Sequence, residues 1–139
     1  MNKAILIVED NLAIREIVAE FLSTLIETEN VEIFKTGKES EAEEILNNED
    51  VSLLLTDINL GSEGCGLSLV DTLKQKPHRP YIIAMSSIEW LGKVDSYLKT
   101  GTVDTFLSKP FTCKDLMSKL QDSQVVKLKE NIDTFFKAP

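Results

Sequence analysis

Five residues of reactive type stand at the ends of short apolar runs: Glu9 and Asp10 after "AILIV", Asp57 after "VSLLLT", Ser86 after "YIIAM" and Lys109 after "VDTFLS". A continuous apolar run reads as a strand covered on both faces, where a carboxylate is costly unless it is paired, hydrogen-bonded or bound to metal. If these strand ends are neighbours, three acids, a hydroxyl and an ammonium meet at one mouth. Crowded carboxylates repel and hold their protons more tightly unless a cation sits among them. Carboxylates with a backbone carbonyl and several waters are the setting Mg2+ prefers, so the set points to a Mg2+ site.

Each residue also has a plainer use. Asp10 or Asn11 would serve as the cap of the following helix, and Ser86 or Ser87 as the cap of another. Lys109 before Pro110 fits an ordinary turn, and the Asp57 side chain fits a turn cap. Five such coincidences would then have to place a coherent set of charges together.

The elements that must position these groups alternate along the chain. Strand-like runs at 3–8, 31–34, 51–56, 81–86 and 103–108 are each followed by a stretch of helical period. The first of these, 11–26, places Leu12, Ile17, Phe21 and Leu25 near helical spacing; the fourth, 88–100, is closed by Gly101. Parallel neighbours need right-handed crossovers, so five strand–helix units imply a doubly wound α/β domain with helices on both faces. Ligands in such sheets bind outside the carboxyl ends of the strands, where all five reactive residues fall.

Composition narrows the function classes. A chain of 139 residues, 42% hydrophobic and 27% charged, fits one globular domain. Its 23 acids against 15 bases give a net charge of −8, which disfavours direct nucleic-acid binding. No run is long enough to span a bilayer, and the start does not read as a signal peptide, so no membrane association and a cytoplasmic location are expected. Cys65 and Cys113 lack paired metal-site spacing and read as reduced thiols. His78 is the only histidine and lies between prolines in a loop, leaving little material for triads or histidine-based metal sites.

In order, the motifs "ILIVEDN", "LLLTDIN", "AMSS" and "FLSKPF" resemble the receiver domain of two-component response regulators over about residues 3 to 122. The resemblance implies a flavodoxin-like (βα)5 fold with strand order 2-1-3-4-5. It implies that Asp57 is a phosphoacceptor forming an acyl phosphate, and that Glu9, Asp10, Asp57 and the Asn59 carbonyl hold Mg2+. Ser86 and Lys109 would each contact a phosphoryl oxygen, and Phe106 would match an aromatic position that reorients with Ser86 on phosphorylation. Such roles agree with the chemistry: phosphoryl transfer depends mainly on alignment and on neutralising the equatorial oxygens. The implied donor is a histidine kinase or histidine phosphotransfer protein, and the chain is then a phosphoacceptor rather than a turnover enzyme. Where many relatives have proline this sequence has Gly61, in the glycine-rich stretch "LGSEGCG".

Beyond residue 122 the apolar pattern continues through Val125, Leu128, Ile132 and Phe135. Residues 1–122 are therefore expected to form the receiver and 123–139 a helical extension of the last helix, folded back on the domain or offered to a partner. The expected state is a monomer or weak homodimer. Within these residues no segment is left over for a further output unit, so the expected output is contact with a downstream protein target. Two competing readings are a receiver-like interaction module that is not phosphorylated and a flavodoxin-like ligand binder; the acid-lined mouth suits an anionic ligand poorly without metal.

Overall fold

The computed structural model describes residues 3–130 and 132. Five parallel strands, β1 (Lys3–Val8), β2 (Val31–Thr36), β3 (Val51–Asp57), β4 (Tyr81–Ser87) and β5 (Thr105–Lys109), form one sheet in the order β2-β1-β3-β4-β5. Five helices connect and follow them: α1 (Leu12–Leu25), α2 (Glu39–Asn48), α3 (Gly66–Leu73), α4 (Leu91–Lys99) and α5 (Cys113–Ser123). This is the doubly wound, flavodoxin-like topology read from the sequence.

The apolar run of β3 explains itself by the two cores it feeds. Leu54 packs on one side with Leu6, Val8, Leu46, Leu69 and Val94, the layer of α2, α3 and α4. Leu53 and Leu55 face the other layer, with Ile5, Ile7, Val18, Leu22 and Leu116 from β1, α1 and α5. All three leucines are fully buried. Each such side chain contributes about 2 kcal/mol by leaving water. The rigidity that results reaches to the strand end, where Asp57 begins the site.

Local sequence sets the helix starts. Asn11 caps α1, its Oδ1 accepting from the Ile14 amide at 3.0 Å. The cap thus falls to Asn11 and leaves the Asp10 carboxylate free for the site. α5 opens with a reciprocal capping box: the Asp115 amide donates to Thr112 Oγ1 at 3.1 Å and the Thr112 amide to Asp115 Oδ2 at 2.9 Å.

Two stretches differ from the sequence reading. The helix expected over 88–100 begins as a 3-10 turn, Ile88–Trp90, before α4 proper, and neither Ser86 nor Ser87 caps α4. The expected helical continuation of α5 is not formed over residues 124–130, whereas Ile132 is helical. α5 stops at Ser123 because Gln124 adopts left-handed backbone, φ 59°, and the chain turns back. Leu128 then bridges Ile26 antiparallel, the Glu27 amide donates to the Lys127 carbonyl at 2.9 Å, and the Lys129 amide donates to the Leu25 carbonyl at 2.9 Å. The apolar residues that mimic a helical stripe instead cover the C-terminal end of α1, with Ile132 buried in the α1/α5 core. Phe135 lies outside the described residues.

Candidate functional site

At the carboxyl edge of the sheet, β1, β3 and β5 deliver their terminal side chains to one point. Lys109 Nζ donates to Asp57 Oδ2 at 2.7 Å and also to Glu9 Oε1. The other Asp57 oxygen, Oδ1, accepts from the Asn59 amide at 3.0 Å. The turn-cap reading of Asp57 therefore holds for one oxygen, while the second faces the ammonium. Glu9 is fully buried and Asp57 nearly so, whereas Asp10 is exposed. One ligand oxygen from each of these three acids can be found within 4.8 Å of the others.

Electrostatics in this cluster favour a cation among the acids. Burial first, and then the hydrogen bond and charge of Asp57, push the Glu9 carboxyl up to about 7 from 4.5, with Lys109 opposing. Burial by itself would lower the Lys109 ammonium, but its bonds to Asp57 and Glu9 outweigh that and raise it above its ordinary value. One ammonium against three carboxylates leaves excess negative charge. Glu9 Oε2, moreover, is buried with no hydrogen-bond partner among the described residues. An orphaned buried oxygen in an all-oxygen set is what a hard divalent cation would satisfy, so the residues present fit Mg2+.

Ser86 and Phe106 sit beside this cluster rather than in its hydrogen-bond set. Asp57 pairs in register with Met85, so Ser86 lies one position further along β4, buried. Phe106 pairs with Ala84 and is half-buried against the core layer that includes α4. Alternation along β4 puts Ser86 and Ala84 on one face, the face that Phe106 shares across the pair. Asn59 follows Asp57 in the turn, its Oδ1 accepting from the Gly61 amide at 2.9 Å.

Three supporting residues were not singled out from the sequence. Arg15 Nη1 donates to the Glu9 carbonyl at 3.0 Å, passing over Gly37, where a Cβ would stand 2.7 Å from that nitrogen. Gly66 lies under the phosphoacceptor candidate; a Cβ there would fall 2.8 Å from Thr56 Oγ1 and 2.9 Å from the Asp57 carbonyl carbon. Glu39, at the start of α2, accepts from the Cys65 amide at 2.8 Å. Glycine was the available signal at Gly66, and Gly37 after β2 the one beneath Arg15; nothing local marked Glu39 among its acidic neighbours.

Comparison with known proteins agrees with this geometry. A family model described as response regulator receiver domain matches residues 5–121. The regulatory protein VirG of Agrobacterium tumefaciens is 28% identical over 123 residues, 86% of this chain and 42% of the relative. The sensory transduction protein LytR of Streptococcus agalactiae is 31% identical over 111 residues, 77% of this chain and again 42% of the relative. The chain thus spans less than half the length of these curated relatives. Among solved structures, the receiver domain of NtrX from Brucella abortus superposes with a TM-score of 0.73 at 26% identity, covering 86% of this chain and 96% of that one. The chemotaxis response regulator CheY4 of Vibrio cholerae shares the fold, with a TM-score of 0.73 at 19% identity and coverage of 88% and 99%.

Proposed function

Because the chain belongs to the response regulator receiver domain family, we propose that Asp57 is its phosphoacceptor and that Glu9, Asp10, Asp57 and the Asn59 carbonyl are its Mg2+ ligands. The observation that carries the reading is the shared ammonium: Lys109 holds Asp57 and Glu9 together at the strand ends. A carboxylate that is fixed, nearly buried and reachable from the sheet edge is placed to attack a phosphorus atom.

In the proposed step an Asp57 oxygen forms a bond to phosphorus while the bond from phosphorus to a donor histidine nitrogen breaks. The electron pair of that bond stays on the imidazole, and the product on this chain is an acyl phosphate. Lys109 supplies a positive charge beside the incoming phosphoryl oxygens, and the Ser86 hydroxyl supplies a donor. Mg2+, when bound, supplies the remaining neutralisation of negative charge. Attachment of the phosphoryl group then draws Ser86 toward it and shifts Phe106 on the same sheet face, remodelling the surface of α4, β5 and α5. The phosphoryl group selects that state only through contacts the other state lacks.

The proposed donor is a histidine kinase or histidine phosphotransfer protein, and the readout is contact with a downstream protein target. The receiver occupies residues 1–122, and 123–139 act as an appended segment. No helix among the described residues is long and apolar enough to cross a membrane; a cytoplasmic location and a monomeric or weakly dimeric state belong to the proposal. The chain acts as a phosphoacceptor that assists its own labelling, not as a turnover enzyme. Chemical lability tests the linkage: label transferred from a phosphohistidine donor should be released by neutral hydroxylamine, as an acyl phosphate is, and label that resists it would contradict attachment to a carboxylate.

A further inference from the structure

The loop between β3 and α3 carries glycines at 61 and 64 and runs into Gly66 at the start of α3, a composition that loses much backbone entropy on ordering. It is held from outside by Glu39, the first residue of α2. Glu39 Oε1 accepts from the Cys65 amide at 2.8 Å, a contact spanning 26 residues of sequence. Gly64, with φ 128°, lies flush against the same side chain: a Cβ there would stand 2.5 Å from Glu39 Cβ and 2.6 Å from its Oε1. Cys65 in turn bridges Asn59 antiparallel, and the Asn59 amide donates to Asp57 Oδ1 at 3.0 Å. A line of contacts therefore runs from α2 through Cys65 and Asn59 to the phosphoacceptor candidate.

We propose that Glu39 is a positioning residue for the metal site, its carboxylate fixing Cys65 and through it the Asn59 backbone, whose carbonyl is a proposed Mg2+ ligand. This rests on the reading that Asn59 and the three acids hold Mg2+. The start of a helix is a favourable place for such a carboxylate, because the unpaired amides there carry partial positive charge. Without the tether the loop samples conformations in which the Asn59 carbonyl is displaced, and the ion must order it on binding. The cost falls on metal affinity rather than on the chemistry of the filled site.

The test is a MgCl2 titration of the full chain followed by backbone amide shifts, for wild type, Glu39→Ala and Glu39→Gln. Glu39→Ala should weaken the Mg2+ Kd by roughly three- to tenfold, the loss expected for one exposed hydrogen bond to a charged group. Glu39→Gln keeps an acceptor and should recover most of the affinity. With acetyl phosphate as donor, the Mg2+ concentration giving half-maximal labelling should rise by the same factor while the rate at saturating Mg2+ is unchanged. An unchanged Kd in Glu39→Ala, with only faster exchange of the Cys65 amide, would make Glu39 a brace of the loop alone and overturn the proposal. Equal losses in the two variants would assign the effect to charge and not to the bond, and would overturn it too. A wild type that binds no Mg2+ and takes no phosphoryl group would defeat the underlying functional reading itself, a result distinct from both.

Discussion

Lys109 Nζ stands 2.7 Å from Asp57 Oδ2 while also donating to Glu9 Oε1, so a single ammonium joins the ends of β1, β3 and β5. Three strands of a parallel sheet are thereby tied at the edge where ligands bind. The arrangement is both a structural clamp and a stored site, since a cation entering the acids would share their charge with Lys109.

Removing that ammonium should expose the tension among the acids. In metal-free protein, Lys109→Ala leaves Glu9 and Asp57 buried without their partner. The expected loss is about 2 kcal/mol, less than for a sealed pair because the mouth admits water. Urea unfolding checks it, and added Mg2+ should restore part of the loss. Equal stability of variant and wild type in chelator would show that the clamp is energetically idle.

Glu9 predicts a pH dependence of definite sign. Its carboxyl is raised to about 7 in the folded state against 4.5 when unfolded, so the folded protein binds the proton more tightly. Its contribution to stability is therefore greatest at low pH and declines as pH rises from about 4.5 to about 7, then stays level. Glu9→Gln should remove this component: the stability difference between variant and wild type, measured in chelator, should grow in favour of the variant across that window. A difference that is flat with pH would refute it.

Much of this was legible in the sequence, for physical reasons that differ by element. Leu53, Leu54 and Leu55 read as a strand buried on both faces because only such a strand feeds two cores, and Asp57 stood out as a charge at its end. The five strand-end residues could be gathered because parallel topology puts all carboxyl ends on one edge. Residues 124–130 do not continue α5 although Val125 and Leu128 keep a spacing compatible with a helix, and the left-handed turn at Gln124 that ends α5 has no glycine to announce it. Arg15 and Glu39 have no local signal because each bonds a backbone group outside its own helix, the Glu9 carbonyl and the Cys65 amide, a contact that periodicity does not encode.

Gly66 tests how tightly the site is built on its backbone. A Cβ at this position meets Thr56 Oγ1 and the Asp57 peptide at less than 3 Å, and backbone cannot swing aside as a flexible side chain can. Gly66→Ala should cost about 3 kcal/mol. Thermal unfolding and the amide spectrum around Asp57 provide the check, and a neutral substitution would show that the turn has slack the geometry denies.

The folded-back segment makes a prediction of its own. Deleting residues 125–139 uncovers Leu25 and Ile26 and removes the bonds of Glu27 to Lys127 and of Lys129 to Leu25. A loss of about 2 kcal/mol is expected, a fall in Tm of roughly 5 to 10 °C for a domain of this size. Solution mass should report the same oligomeric state before and after. An unchanged Tm would mean that the segment is not held against α1 in solution.

In the proposed chemistry Asp57 takes a phosphoryl group with the help of a cation held by Glu9 and Asp10. Intact mass after incubation with acetyl phosphate addresses it directly, for wild type and Asp57→Asn, with Mg2+ and with chelator. Wild type should gain one phosphoryl group with Mg2+ only, and Asp57→Asn none. A gain that persists in Asp57→Asn, or that is indifferent to the chelator, would contradict it.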